Sequence, residues 1–249
     1  MSEAGTRAGD IVVQVHAQLR EAILSGDVRP GEKTSQAELA RDLGVGRTPL
    51  REAVRMLQNE GLVLAEPNRR VEIASLSVED VEELYVARIA LELAAARITL
   101  PQLTESDIAE LEGLMAQMAH LGGGGPDGNG HHDRIALFRV PHRAFHERFV
   151  MKAGPRLAAL ISELFDHSER YRRIYGAAAA DHFARRQLEH RAMLDAAAAR
   201  DADGLAEMMA LHYVDTARLV ANALDPESPL TRLRTTVAVL APGAMRAFG

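Results

Sequence analysis

The chain carries 10 histidines and no cysteine, so any transition-metal site must be built from imidazole and carboxylate rather than thiolate. His142 and His146 are four residues apart, which places both rings on one helix face about a turn apart. His190 lies on the line Phe183, Gln187, His190, Leu194, the inward face of a second helical segment. His212 lies on the line Leu205, Met208, His212, Leu219 of a third. Three helices therefore each aim imidazole at the interior. Neutral imidazole suits Zn²⁺, Ni²⁺ or Cu²⁺, and burying several such rings without an ion leaves polar nitrogens at a cost. Any one of these histidines is better read as a hydrogen-bonded core residue; the set of four is not. An open His-bound Zn²⁺ could also activate water, and Glu147 and Glu189 are at hand as bases, which keeps a metal-dependent hydrolase as the rival reading. His131, His132 and Asp133 fall beside a Gly-rich stretch and read as solvated loop residues.

A second constellation is cationic. Arg47, Arg51 and Arg55 recur every four residues and form one outward stripe. They lie in the stretch Ser35–Gln58, which reads as two short helices and a tight turn. Ser35 with Glu38 makes a capping box, and Ala37, Leu39, Ala40 and Leu43 supply a small apolar inner face. Gly44 ends the first helix. The second begins near Thr48 with Pro49 in its first turn, and Leu50, Val54 and Leu57 point inward. This is the pattern of a helix-turn-helix, whose second helix enters the DNA major groove.

Composition bounds what these residues can serve. Net charge is −6, and residues 1–75 hold 10 Lys and Arg against 11 Asp and Glu, so a DNA reading rests on where the arginines sit, not on bulk charge. The absence of cysteine, of any apolar run of membrane-spanning length and of an apolar signal core predicts a cytoplasmic protein without a membrane partner. Ala- and Leu-rich segments with 4% aromatics favour helix.

The elements that position the two constellations follow in order. Residues 1–9 are expected to be disordered, and Asp10 to cap a helix to about Ser25 that buries Ile11, Val15, Leu19 and Ile23. After the helix pair, Leu62–Glu66 and Val71–Ala74 read as two strands around the turn Pro67-Asn68-Arg69, a wing with Arg69 and Arg70 at its tip. Ala74–Ser77 links to a long helix ending near Thr99, where Pro101 breaks it. Thr104 caps the next helix. Leu121–Asp133 is Gly-rich and reads as a flexible loop. Helical segments follow near Pro141–Lys152, Pro155–Tyr175, Asp181–Arg200 and Asp203–Leu224, with Pro141 either starting a helix or kinking one begun near Asp133. The tail from Asp225 carries three prolines around the apolar Val237–Leu240.

Pro30-Gly31, Leu39-Ala40, Leu43-Gly44-Val45, Arg47-Thr48-Pro49-Leu50-Arg51-Glu52-Ala53, Leu57 and Glu60-Gly61-Leu62-Val63 together resemble the winged helix-turn-helix of the GntR superfamily. Gly46 departs from the family's usual Ser, losing a hydroxyl that could cap the helix or reach a phosphate. The wing lacks the usual Gly. The resemblance implies DNA contact by Ser35, Gly46, Arg47, Thr48, Arg51, Arg69 and Arg70, on a double-stranded operator with inverted half-sites bound by a homodimer. Residues beyond about 78 resemble, more loosely, the FCD effector domain of FadR-type members. Arg88 and Glu92, Glu189-His190 and His212 carry that likeness. It implies a divalent metal and a small organic acid effector. His142 stands where relatives have Asp, so the site would hold four histidines, favouring Zn or Ni. Pro155 stands where relatives commonly have Asn. Arg88 is a candidate counter-ion for the effector carboxylate, with a structural pair to Glu92 the equal alternative. The expected fold is mainly α. A winged helix-turn-helix of three helices plus a small β-wing fills residues 1–75. An all-α antiparallel helical bundle fills 76–224, and 225–249 form an extension to which the sequence assigns no role. The expected function is a metabolite-responsive transcription repressor.

Overall fold

A computed structural model describes the backbone of residues 3–65, 70–122, 131–175 and 182–248. Within these spans it describes the backbone alone at 3–8, 65, 122, 131–136, 172–175 and 182–183. The described residues divide into two compact units, one of residues 1–77 with 169–174, the other of 78–168 with 175–249.

In the first unit, helix α1 spans Glu3–Ser25, α2 Gln36–Asp42 and α3 Arg47–Asn59. The α1 helix starts earlier than expected, so Asp10 lies inside it rather than capping it. Val15, Leu19 and Ile23 are buried as the four-residue spacing predicts. Ile11 is not, at 43% exposed, because the shared core ends one turn short of it. Ser35 caps α2 as expected: its Oγ accepts from Glu38 N at 3.1 Å, and the Glu38 carboxylate accepts from Ser35 N at 2.9 Å. Ala40 is buried and Leu39 and Leu43 pack on the core, but Ala37 faces solvent. Gly44 takes φ +65°, the left-handed turn between the helices. Gly46 is the N-cap of α3 without a side-chain bond, a change from Ser that costs only a few tenths of a kcal/mol. Leu50, Val54 and Leu57 are buried, each contributing about 1.5–3 kcal/mol by removal from water.

The wing is a three-stranded sheet rather than a two-stranded one. Strands β2 Val63–Ala65 and β3 Arg70–Ile73 pair antiparallel, Val63 opposite Ile73. A further strand, β1 Lys33–Ser35, joins the free edge of β3, Ser35 opposite Arg70. The turn between β2 and β3, including Arg69, lies outside the described residues.

The second unit holds α4 Val78–Thr99, α5 Glu105–Gly122, α6 His131–Arg148, α7 Pro155–Tyr175 apart from its residues 169–174, α8 His182–Ala198, α9 Ala202–Leu224 and α10 Thr231–Leu240. Pro101 ends α4 in a 3-10 turn, and Thr104 caps α5, accepting from Asp107 N at 3.2 Å. Helix α6 begins at His131 and carries Pro141 in its interior, so this proline does not start the helix. The Gly-rich stretch is thus shorter than expected: α5 runs into it to Gly122, α6 out of it from His131, and residues 123–130 lie outside the described set. Helix α9 starts at Ala202, one residue before the expected Asp203, and Asp201 caps it, accepting from Gly204 N at 2.9 Å. Helix α4 packs on α9, α5 on α6 and α8, and α8 on α9. The tail is helical: α10 buries Leu233 and Val237 against α4, and the 3-10 segment Pro242–Phe248 packs on α9 and α10. Val239 stays 74% exposed. Among the described residues no helix is long and apolar enough to cross a membrane.

Candidate functional site

The four histidines converge in the second unit. His142 and His146 come from α6, His190 from α8 and His212 from α9, and all four are buried. Each offers one ring nitrogen, and these atoms all lie within 4.8 Å of one another. Ring centroids are 4.6 Å apart for His142 and His146, 4.8 Å for His190 and His212, and 5.1 Å for His146 and His212. Phe138, Phe145, Phe165 and Tyr213 border the rings.

The donor set fits a divalent transition metal. His146 Nε2 and His190 Nε2 are 3.3 Å apart. Two imidazole nitrogens at Zn–N distances of about 2.0–2.1 Å on a tetrahedral ion are separated by about 3.3 Å. Without an ion, one of this pair must donate a proton to the other. His142, His146, His190 and His212 could therefore hold such an ion, which would tie three helices together and, with a coordination position left open, offer it to a small anion.

Beyond the shared walls Phe165 and Tyr213 lies a second polar group. Arg88 on α4 is 3% exposed. Its Nε donates to Glu92 Oε1 at 2.6 Å and its Nη1 to Ser168 Oγ at 2.9 Å, and its guanidinium lies 4.4 Å from the Tyr213 ring centroid. Tyr213 Oη donates to Glu92 Oε2 at 2.5 Å. Burial works against the Arg88 cation, but Glu92 first, with Tyr213 and Tyr85, together offset it and hold the guanidinium above its ordinary pKa. Burial, then the Glu92 charge, pushes the Tyr213 phenol up as well. Phe165 and Ser168 had no signal in the sequence, and Tyr213 could have been found only as the neighbour of His212.

The two glutamates that a hydrolytic reading needs are both engaged. Glu147 Oε1 accepts from Arg143 Nε at 2.7 Å. Glu189 Oε2 faces His212 Nδ1 at 2.8 Å and accepts from Arg186 Nη1 at 2.9 Å.

In the first unit, Arg47, Thr48, Arg51 and Arg55 are exposed on α3, beside the exposed Gly46. Arg51 and Arg55 lie near Glu52, at 3.5 and 3.4 Å, in exposed pairs of little energetic weight. Ser35 and Arg70 face each other across β1 and β3, so both side chains emerge on one face of the sheet. Ser35's hydroxyl is part of the α2 cap, and Arg70 is exposed. Arg69 lies outside the described residues.

A helix-turn-helix with a winged sheet, followed by a helical unit enclosing a candidate metal centre, is the arrangement of a two-part DNA-binding regulator. The model for bacterial regulatory proteins of the gntR family matches residues 11–73, and that for the FCD domain matches residues 83–215. The chain belongs to the GntR family, in the FadR-type branch that carries an FCD domain. It is 37% identical over 100 residues to the uncharacterized HTH-type transcriptional regulator YdhC of Bacillus subtilis, covering 40% of this chain and 45% of that protein. It is 26% identical over 210 residues to the HTH-type transcriptional repressor GlaR of Escherichia coli, covering 83% of this chain and 94% of that one. The solved structure of E. coli McbR/YncC superposes with a TM-score of 0.69 at 21% identity, over 84% of this chain and 96% of that one, which shows a shared fold. The matched region spans about half the length of several curated relatives, 45% to 52%. Both YdhC and GlaR carry the name of HTH-type transcriptional regulators.

Proposed function

We propose that the protein is a metabolite-responsive transcription repressor. Its winged helix binds a DNA operator, and its helical unit binds a divalent transition metal, Zn or Ni, together with a small carboxylate-bearing effector that changes operator affinity. The observation that carries this reading is the buried four-histidine cluster within a domain matched as FCD, in a chain whose other half matches the gntR regulators. As a homodimer the protein presents two α3 helices to two inverted half-sites. Arg47, Thr48 and Arg51, at the start of α3, reach base edges and nearby phosphates. Gly46 lets the backbone approach closely, and Ser35, Arg69 and Arg70 extend the contact through the wing to phosphate or the minor groove.

Four neutral imidazoles leave the ion's full positive charge in place, one unit more than an aspartate-containing set. That favours an anionic effector in any open coordination position. Arg88 is the counter-ion proposed for the effector carboxylate. Its charge already has Glu92, but Nη1 donates to the neutral Ser168 hydroxyl, which a carboxylate could displace.

The test is selection of bound duplexes from a randomised library, followed by gel shift with and without Zn²⁺ and with candidate organic acids. Enrichment of an inverted repeat whose half-sites lie about one helical turn apart is expected. Binding without sequence preference would overturn the operator reading. Operator affinity indifferent to every metal and acid tried would overturn the effector reading.

A further inference from the structure

The geometry points to Glu189 as the residue that positions His212 for the metal, by fixing which of its ring nitrogens carries the proton. The inference rests on the metal reading above and deepens it.

Helix α8 supplies two adjacent residues to the centre. His190 offers its ring to the cluster, and Glu189 turns toward α9, where its Oε2 meets His212 Nδ1 at 2.8 Å. An ionised carboxylate can only accept hydrogen bonds. A bare Nδ1 lone pair at that distance would repel it, so the proton sits on Nδ1. In a neutral imidazole the other nitrogen, Nε2, then has a free lone pair, and it is the atom left to bind metal.

The competing arrangement is visible and loses. Arg186 Nη1 lies 3.3 Å from His212 Nδ1 and could donate to it, which would move the ring proton to Nε2 and block coordination. That contact is longer than the one from Glu189, and the same nitrogen already donates to Glu189 Oε2 at 2.9 Å and to His212 O at 3.0 Å. Arg185 Nε donates to Glu189 Oε1 at 3.2 Å. Arg186 and Arg185 thus hold the carboxylate in place beside His212. One helix therefore contributes a ligand and orients the ligand from its neighbour. A carboxylate in this position locks the ring against rotation and raises its basicity toward the ion. It also removes Glu189 from any role as a base toward metal-bound water.

The experiment compares Zn²⁺ affinity of untagged wild type, Glu189→Ala and Glu189→Gln by competition with a chromophoric chelator, together with the visible spectrum of the Co²⁺-loaded proteins. Glu189→Ala should weaken Zn²⁺ binding by about 10–100-fold and alter the Co²⁺ bands. Glu189→Gln keeps an acceptor oxygen and should recover most of that loss. Wild-type affinity in Glu189→Ala, or Gln performing no better than Ala, overturns the role of Glu189 and leaves the metal reading standing. Wild type that binds no Zn²⁺ overturns both. Should Glu189→Ala fail to fold, long-range ¹H–¹⁵N spectra of the metal-free wild type read the tautomer directly, with His212 assigned from the His212→Gln spectrum. A proton on Nδ1 supports the proposal, and a proton on Nε2 overturns it.

Discussion

Stripping the metal should loosen the helical unit by a calculable amount. His142, His146, His190 and His212 link α6, α8 and α9, and their nitrogens already lie within 4.8 Å of one another. The site is assembled only when these helices pack, so the ion binds the folded state and has little purchase on the unfolded chain. A ligand free at about 100 times its Kd then stabilises by ~2.7 kcal/mol. In a unit of this size each kcal/mol moves Tm by about 2–4 °C, so the shift should be about 5–11 °C. The assay is thermal unfolding followed by circular dichroism, on protein purified without a His tag, after chelation and again after adding Zn²⁺ or Ni²⁺. His190→Ala should abolish the shift, since it removes the partner 3.3 Å from His146. His142→Asp should keep it, because a carboxylate replaces one imidazole among four. Elemental analysis below ~0.1 equivalent of any transition metal, with no Tm change on adding one, would refute the reasoning and return the four histidines to ordinary core packing.

Arg51→Ala should cost about 1–3 kcal/mol of operator binding if Arg51 reads a guanine, and unchanged affinity in both Arg47→Ala and Arg51→Ala would sink the placement of α3. Replacing Arg69 and Arg70 together with Ala should reduce the number of phosphate contacts read from the salt dependence by up to about two; a fall in affinity at unchanged slope would mean that the wing acts through fold stability. Asp107 accepts from Lys152 Nζ at 2.6 Å and from Thr104 N at 2.7 Å, and these contacts, the Lys152 bond first, hold its carboxyl well below the usual range. Its folded pKa is depressed, so its stabilisation is present above the unfolded value of about 4 and is lost as pH falls toward the folded one. Asp107→Asn should therefore unfold at lower urea than wild type at pH 7, and the gap should begin to narrow only below about pH 4 and shrink further with each step toward stronger acid; a gap independent of pH would refute the ionic origin.

What the sequence determined by itself is what a few neighbouring residues decide together. The Ser35–Glu38 cap, the left-handed Gly44, the stop at Pro101 and the cap at Thr104 all depend on groups within four positions, and each stands where its residues place it. Helical period likewise sets Val15, Leu19 and Ile23 inward and Arg47, Arg51 and Arg55 outward. Tertiary structure decided the rest, because the deciding partner lay far along the chain. Lys33-Thr34-Ser35 has no strand pattern and becomes β1 only because the edge of β3 has backbone groups to pair. Ile11 follows the same spacing as its neighbours yet stays exposed, since burial requires a core opposite it. The tail's Leu233 and Val237 are buried only because α4 offers them a surface. Periodicity could aim each histidine inward, but their approach to within 4.8 Å depends on how α6, α8 and α9 pack. Glu189 lies beside His190 in the chain, yet its carboxylate meets His212 on another helix, a pairing set by the rotation of α8 against α9 and by no local spacing.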